Sequence, residues 1–337
     1  MTQSKQVELV CPAGSLPALK VAVDHGADCV YVGFRDQTNA RNFAGLNFDD
    51  VGLKEGLRYA HRAGAQVYVA LNTYPQSANW AQWTRAVDRA ADLGVDAVIL
   101  ADPSLMSYAR RVHPQLPLHL SVQGSATNHE AINFYHDHFA IRRAVLPRVL
   151  ALSQIGHVIA NTPVQIETFG FGGLCVMVEG RCALSAYTTG ISPNCDGACS
   201  PAKAVRWAQT ARGMEARLNS VLIDRFTPGE RAGYPTLCKG RFDVGGQNYY
   251  AFEDPASLNA LEVLPELVRA GVRAIKIEGR QRSPAYVAEV TRVWRQALDA
   301  CLEDCDGFRA QPAWMNSLAQ LSEGQTHTLG AYDRPWK

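Results

Sequence analysis

Five of the nine cysteines in this 337-residue chain lie between positions 175 and 238, at Cys175, Cys182, Cys195, Cys199 and Cys238. Thiolate is the protein ligand that suits zinc and iron–sulfur centres, so soft sulfurs gathered this way point to a metal or cluster. The first two stand in ETFGFGGLCVMVEGRCALS, residues 167–185, a glycine-punctuated loop after a strand-like run. The spacing Cys175-x6-Cys182-x16-Cys199-x38-Cys238 lacks the close C-x-x-C knuckles of zinc ribbons. Wide, irregular spacing suits an iron–sulfur cluster held by separate loops, with zinc as the alternative. The radical-SAM spacing C-x3-C-x2-C is broken, because Ala202 stands where its third cysteine would be. Five thiols for four positions leave one spare. Cys199, followed closely by Pro201, is favoured over Cys195, which stays as a substitute or a redox-exposed thiol.

A second group leaves the end of the last strand-like run, in KIEGRQRS. Lys276, Glu278, Arg280 and Arg282 alternate in charge there, and Glu278 and Arg280 would stand at or just above a barrel rim. A guanidinium matches a carboxylate in a two-point fork, so this pair could take an acidic or phenolic ligand. The plainer reading is a solvated ion pair at a strand end. Asn72, Gln123 and Arg148 leave other strands at the same face, and Arg35, Asp36, Asn39 and Arg41 follow the second strand. Several polar groups converging at one face make a pocket. The histidines show no H-E-x-x-H spacing, and no G-x-S-x-G, P-loop or Ser/His/Asp set stands out. Cys11 and Cys29 sit in apolar runs and read as small core residues. Cys301 and Cys305 are at helical i,i+4 spacing.

The elements that must position these groups alternate. Short β-branched runs begin near Val7, Asp28, Gln66, Asp96, Leu118, Arg143, Val164 and Val272. Between them lie amphipathic segments, several ending at a glycine such as Gly26, Gly64 or Gly94, as a helix C-cap would. Eight strand–helix units predict a (β/α)8 TIM-type barrel over 1–300. A doubly wound sheet is the alternative, but no G-x-G-x-x-G follows the first strand. The seventh and eighth starts are 108 residues apart, against 21 to 38 for the others. That excess is a cysteine-rich insertion over 171–260, between strands 7 and 8. The segment after a barrel strand emerges at the C-terminal face, so the cysteines should cap the mouth. Ser283 and Pro284 open a closing helix with a buried stripe of Tyr286, Val287, Val290, Val293, Trp294 and Ala297. Residues 301–337 read as a tail packed on the barrel, irregular from Asp306 onward.

Composition bounds the partners. There are 33 basic and 32 acidic residues, a net charge of +1, so no surface built chiefly for nucleic-acid backbone is expected. The start, MTQSKQVELV, lacks the pattern of a signal peptide, and no apolar run approaches the roughly 18 residues of a membrane helix. A cytoplasmic protein is expected, and in that reducing compartment nine cysteines do not read as a disulfide framework.

At Glu167, Phe169, Gly172, Leu174, Cys175, Gly180, Cys182, Leu184 and Ser185 the sequence resembles the collagenase-like peptidase family, whose signature is E-x-F-x2-G-[S/A]-L-C-x4-G-x-C-x-L-S. It departs once, with Gly173 in place of Ser or Ala. KIEGR at 276–280 is a second landmark, and the resemblance runs from ELVCPAG at 8–14 to the C-terminal residues. The runs ARNFAGLNF, INFYHDHF, AGYPTLCKGR, KIEGRQRSPAYV and SEGQTHTLGAY resemble a branch that hydroxylates the ubiquinone ring without oxygen. That resemblance implies a [4Fe–4S] cluster on Cys175, Cys182, Cys199 and Cys238, and a heterodimer with a homologous subunit. It also implies a polyprenylated aromatic substrate. Related members hydroxylate RNA bases with prephenate as oxygen donor, which implies a similar donor here. Arg148, Glu278 and Arg280 are the candidates to orient donor or ring. The alternatives are an RNA-base hydroxylase, a peptidase, and a cluster-bearing scaffold for a catalytic partner.

Overall fold

The computed structural model describes residues 7–175, 177, 181–230 and 232–334. Gly180 of the signature, and the first six and last three residues of the chain, lie outside them. The first half alternates strand and helix: β1 (Glu8–Pro12), α1 (Leu16–Asp24), β2 (Cys29–Val32), α2 (Asp50–Arg62), β3 (Gln66–Leu71), α3 (Trp80–Asp92), β4 (Ala97–Leu100), α4 (Pro103–Val112), β5 (Leu118–Leu120), α5 (His129–Phe139), β6 (Arg143–Val145), α6 (Leu152–Ala160) and β7 (Gln165–Gly173). The inserted segment carries α7 (Ala183–Thr189), α8 (Pro193–Asp196), an antiparallel sheet of β8 (Val205–Thr210), β9 (Gly213–Leu218) and β10 (Val221–Phe226), and a hairpin of β11 (Arg241–Val244) and β12 (Gln247–Tyr250). The chain then adds β13 (Ser257–Asn259), α9 (Leu264–Ala270), β14 (Ala274–Ile277), α10 (Pro284–Glu303), α11 (Pro312–Leu321) and β15 (His327–Thr328).

β1 to β7 pair in parallel in sequence order, and β14 pairs in parallel with both β1 and β7. The sheet therefore closes on itself as the expected (β/α)8 barrel, with every predicted strand within two residues of its place. Closure buries both faces of each strand, which is why β2 and β4 are short continuous apolar runs rather than alternating ones, and why β14 is buried throughout although it carries Lys276. Ser15, Asp49, Asp102, Asn128 and Ser283 each accept a backbone N–H as helix N-caps. The predicted stripe of α10 is buried throughout. Each large apolar side chain in it contributes on the order of 2 kcal/mol.

The C-terminal tail differs from the expectation of an irregular segment. Pro312 occupies the first turn of α11, whose Trp314 and Leu318 are buried one helical turn apart. β15 pairs with β13, which runs antiparallel along the end of β7. Trp314, Met315, Leu318 and Leu321 make a short apolar face on α11, with Trp314 and Leu318 buried.

Two layers of core result. One lies between the barrel and its helices; a smaller one of Val10, Cys29, Tyr31, Tyr68, Ala70, Ala97, Ile99 and Ala274 lies inside the barrel. Charged residues share that interior. Lys276 donates to Glu167 at 2.7 Å, Arg143 lies 3.5 Å from Glu167, and Arg143 reaches Glu8 at 2.6 Å and Gln165 at 2.8 Å. Glu167 is 1% exposed, so removing it strands the Lys276 ammonium in a low-dielectric interior, while Arg143 keeps Glu8 and Gln165. Glu167→Ala should lower the unfolding free energy by roughly 3–5 kcal/mol in urea titrations. Lys20→Ala, which opens the exposed Lys20–Glu55 pair, should cost no more than about 1 kcal/mol. Equal losses would contradict the network.

Candidate functional site

The barrel's C-terminal mouth opens into a cavity of about 1690 Å³ lined from three sources. Strand ends supply Tyr31, Asn72, Gln123, Arg148, Phe169, Lys276, Glu278 and Arg280. The inserted segment supplies Cys175, Cys182, Cys199, Cys238 and Tyr234, and the C-terminal tail supplies Glu323. The volume exceeds the roughly 300–1,000 Å³ usual for one small-molecule site, leaving room for two ligands or one large one.

All four expected cysteines line this cavity, and Cys195 is not among its lining residues. Their loops are tied to one another. Cys182 caps α7, its Sγ accepting the Ser185 N–H at 3.3 Å, and the Ser185 hydroxyl bonds the Cys199 carbonyl. The Ser200 hydroxyl donates to the Pro235 carbonyl at 2.7 Å, joining the Cys199 turn to the segment before Cys238. Gly197 has φ +80°, and a Cβ there would stand 2.4 Å from the Asn39 carbonyl, so only glycine lets this turn meet the loop after β2. The thiols sense one another. Burial pushes the Cys199 thiol up, Arg41 pulls it down, and Cys182 raises it again. Burial also raises Cys238, to which Cys199 adds.

Among the described residues, no group of three or more His, Cys, Asp and Glu side chains could hold a metal ion as it stands. Four soft sulfurs from separate loops about one cavity are a donor set of the kind that iron–sulfur groups and zinc take.

Beneath the thiols lies a charged floor. Glu278 leaves β14 and is gripped by Arg41 at 2.6 Å and Arg148 at 2.7 Å. Gly172, φ +134° and next to last in β7, lies against it, where a Cβ would come within 2.5 Å of the Glu278 Cβ. Arg148 also lies over the Phe169 ring at 3.5 Å, a cation–π contact that fixes its plane. Arg41 is the bridge between floor and thiols: its backbone N–H donates to the Gly197 carbonyl at 2.7 Å, and, against the pull of burial, Glu278 is the main group that holds its charge. Two guanidiniums on one carboxylate leave a positive excess, so the floor favours an anion. Above it, Phe43 and Tyr234 meet edge-to-face at 5.7 Å.

Arg280 is 4% exposed and donates to the Asn39 side chain at 2.8 Å and to the Ala40 carbonyl. It therefore holds the loop that carries Arg41. Asn72 accepts the Ala40 N–H at 3.0 Å and supports the same loop. Arg35, by contrast, pairs with Asp49 at the surface. No sequence pattern gave Tyr31, Phe169 or Glu323 a role in the site, and Lys276 stood out only as one of the alternating charges of KIEGRQRS. The inward period of β14 (274, 276, 278) would have found Lys276, but nothing local marks the tail's Glu323, which Lys239 and Arg282 reach from across the mouth.

Burial would raise the Glu278 carboxyl, but Arg148 and then Arg41 outweigh it and hold the group at about 2, below its ordinary 4.5. A depressed carboxylate adds stability above its unfolded pKa that is lost as pH falls through the folded one. Glu278→Gln should thus cost roughly 3 kcal/mol at pH 7, the gap to wild type narrowing below pH about 4.5 and closing near pH 2. Thermal melts from pH 7 to 3.5 that show a constant gap would refute this.

Residues 14–335 match Peptidase family U32. The chain is 30% identical over 328 residues to the tRNA hydroxylation protein P1 of Bacillus subtilis (strain 168), covering 96% of this chain and 71% of that one. It is 31% identical over 341 residues to the tRNA hydroxylation protein P of Escherichia coli (strain K12), covering 95% and 72%. It is 32% identical over 323 residues to the 23S rRNA 5-hydroxycytidine C2501 synthase of Escherichia coli (strain K12), covering 96% of this chain and 42% of that one. The barrel, the cysteine-bearing loop after β7 and the charged KIEGR exit thus come with a match along almost the whole chain: it belongs to Peptidase family U32.

Proposed function

We propose that this chain is the iron–sulfur subunit of an oxygen-independent hydroxylase acting on the ubiquinone ring, of the UbiU type, paired with a homologous UbiV-like subunit. The observation that carries the reading is four thiols around one cavity whose floor is cationic and whose walls are aromatic. Cys175, Cys182, Cys199 and Cys238 would hold the [4Fe–4S] cluster, which supplies electron transfer or activation of the oxygen donor when bound. Arg41 and Arg148 offer guanidinium N–H groups to the carboxylates of an organic donor such as prephenate, with Glu278 keeping the two forks aligned in its absence. Phe169, Phe43 and Tyr234 flank the space where a planar ring is held, and Arg280 keeps the Arg41 loop in place. Among the described residues no helix is long and apolar enough to cross a membrane; the width of the mouth leaves room for a polyprenyl tail to run out of the cavity.

A second reading, an RNA-base hydroxylase, is favoured by the names of the relatives. Against it stands the net charge of +1, which gives no general excess of cations for a phosphate backbone. The collagenase-like peptidase name offers a third, for which cleavage of collagen by metal-free protein would be the test.

Purified anaerobically with its partner subunit, the chain should contain about four irons and four sulfides with a broad visible absorption. Changing any one of Cys175, Cys182, Cys199 or Cys238 to Ala should remove most of the iron, whereas Cys195→Ala should keep it. Arg148→Met should keep the iron and lose at least about tenfold in hydroxylation of a short-chain polyprenylphenol. Iron-free wild-type protein would refute the cluster. Hydroxylation of tRNA, with binding that weakens steeply in salt, would replace the quinone reading with the RNA one.

A further inference from the structure

The floor of the cavity holds an amine that the proposed hydroxylase chemistry leaves unused. Lys276 lines the cavity from the inward face of β14, yet only 5% of it is exposed. Its Nζ lies 3.9 Å from the centroid of the Tyr31 ring and 2.7 Å from Glu167 Oε1. Arg280 stands over the same ring at 5.7 Å, and Glu278 with its two guanidiniums follows one strand repeat, roughly 7 Å, toward the mouth. Burial lowers the Lys276 ammonium below its ordinary range; Glu167 opposes this, and Arg143 and Arg280 add to it. A desolvated lysine among other cations is how proteins make a nucleophilic amine near neutral pH. A cationic wall beside such an amine selects carbonyl compounds that also carry a carboxylate.

We infer that Lys276 is a carbonyl-reactive residue that forms an imine with a small 2-oxo acid bound at the base of the cavity. The ammonium passes one proton to Glu167 Oε1 across the 2.7 Å hydrogen bond. The freed Nζ lone pair adds to the C2 carbonyl carbon, forming a C–N bond while the carbonyl π electrons go to oxygen, and one proton then passes from the added nitrogen to that oxygen. The hydroxyl of this carbinolamine leaves as water, protonated from Glu167, and the C=N bond forms. Amine plus ketone gives imine plus water, with no oxidant or reductant. Tyr31 packs against Nζ and keeps bulk water from the nitrogen; its own hydroxyl is engaged by the Ile277 carbonyl at 2.9 Å.

The test needs neither iron nor turnover, so its outcome is independent of the cluster and of the hydroxylase reading. The wild-type chain is incubated at pH 7.5 with pyruvate or phenylpyruvate and sodium cyanoborohydride, digested and mapped by mass spectrometry. For pyruvate, Lys276 should gain the mass of one carboxyethyl group several times more often than exposed lysines such as Lys20 and Lys54, because the cationic wall beside it holds the carboxylate of the 2-oxo acid next to the amine. Acetone, which lacks the carboxylate, should label Lys276 less than pyruvate does. Label spread evenly over surface lysines, or Lys276 unlabelled by both 2-oxo acids, would overturn the inference. Lys276→Arg, which keeps the charge beside Glu167, should lose the specific label while melting cooperatively. A site-specific label that persisted in that variant would also overturn the inference.

Discussion

Closure of the barrel through β14 is the constraint on which the rest depends. Because β14 bonds to both β1 and β7, the chain leaving β7 and the chain leaving β14 emerge side by side at one rim. Cys175 lies two residues beyond β7 and Glu278 is the first residue beyond β14. A metal-binding loop and a charged strand end, a hundred residues apart in sequence, are thus neighbours by topology. No long-range affinity between them has to be invoked.

Around that junction the structure uses its buried charges with partners in place. Inside the barrel, Glu167 sits between Lys276 and Arg143; at the rim, Glu278 sits between Arg41 and Arg148. Glu8 also takes Arg143, so the inner set balances, whereas at the rim two guanidiniums share one carboxylate and Arg41 and Arg148 line the cavity. Buried ion pairs are weak sources of stability but strong constraints on geometry, since breaking one leaves an uncompensated charge. The arrangement fits a site that must hold anionic ligands in one orientation and tolerates little rearrangement of its floor.

The loop after β2 carries more of the site than its length suggests. Arg280 and Asn72 pin Asn39 and Ala40, Arg41 reaches both Glu278 and the Gly197 turn, and Phe43 meets Tyr234. It therefore links the barrel rim to the cysteine-bearing segment. The C-terminal tail closes the same mouth from the other side through Glu323, reached by Lys239 and Arg282. These two segments turn an open barrel end into a walled cavity.

From the chain alone, the alternation of apolar runs with amphipathic segments is enough to determine eight strands, their order and the excess before the eighth. Those depend on local periodicity and on the spacing between runs, which are properties of neighbouring residues. The four cysteines on the cavity were legible for the same reason: thiols are rare and their clustering is visible in one dimension. Only the tertiary structure decided that Arg280 grips a loop, that Arg41 joins the cation pair on Glu278, and that Lys276 lies at the cavity base beside Tyr31. Each is a meeting of residues more than a hundred positions apart, brought together by barrel closure and recorded in no local pattern. The strand β15 was likewise invisible, because a two-residue pairing with β13 gains its meaning only from the strand beside it.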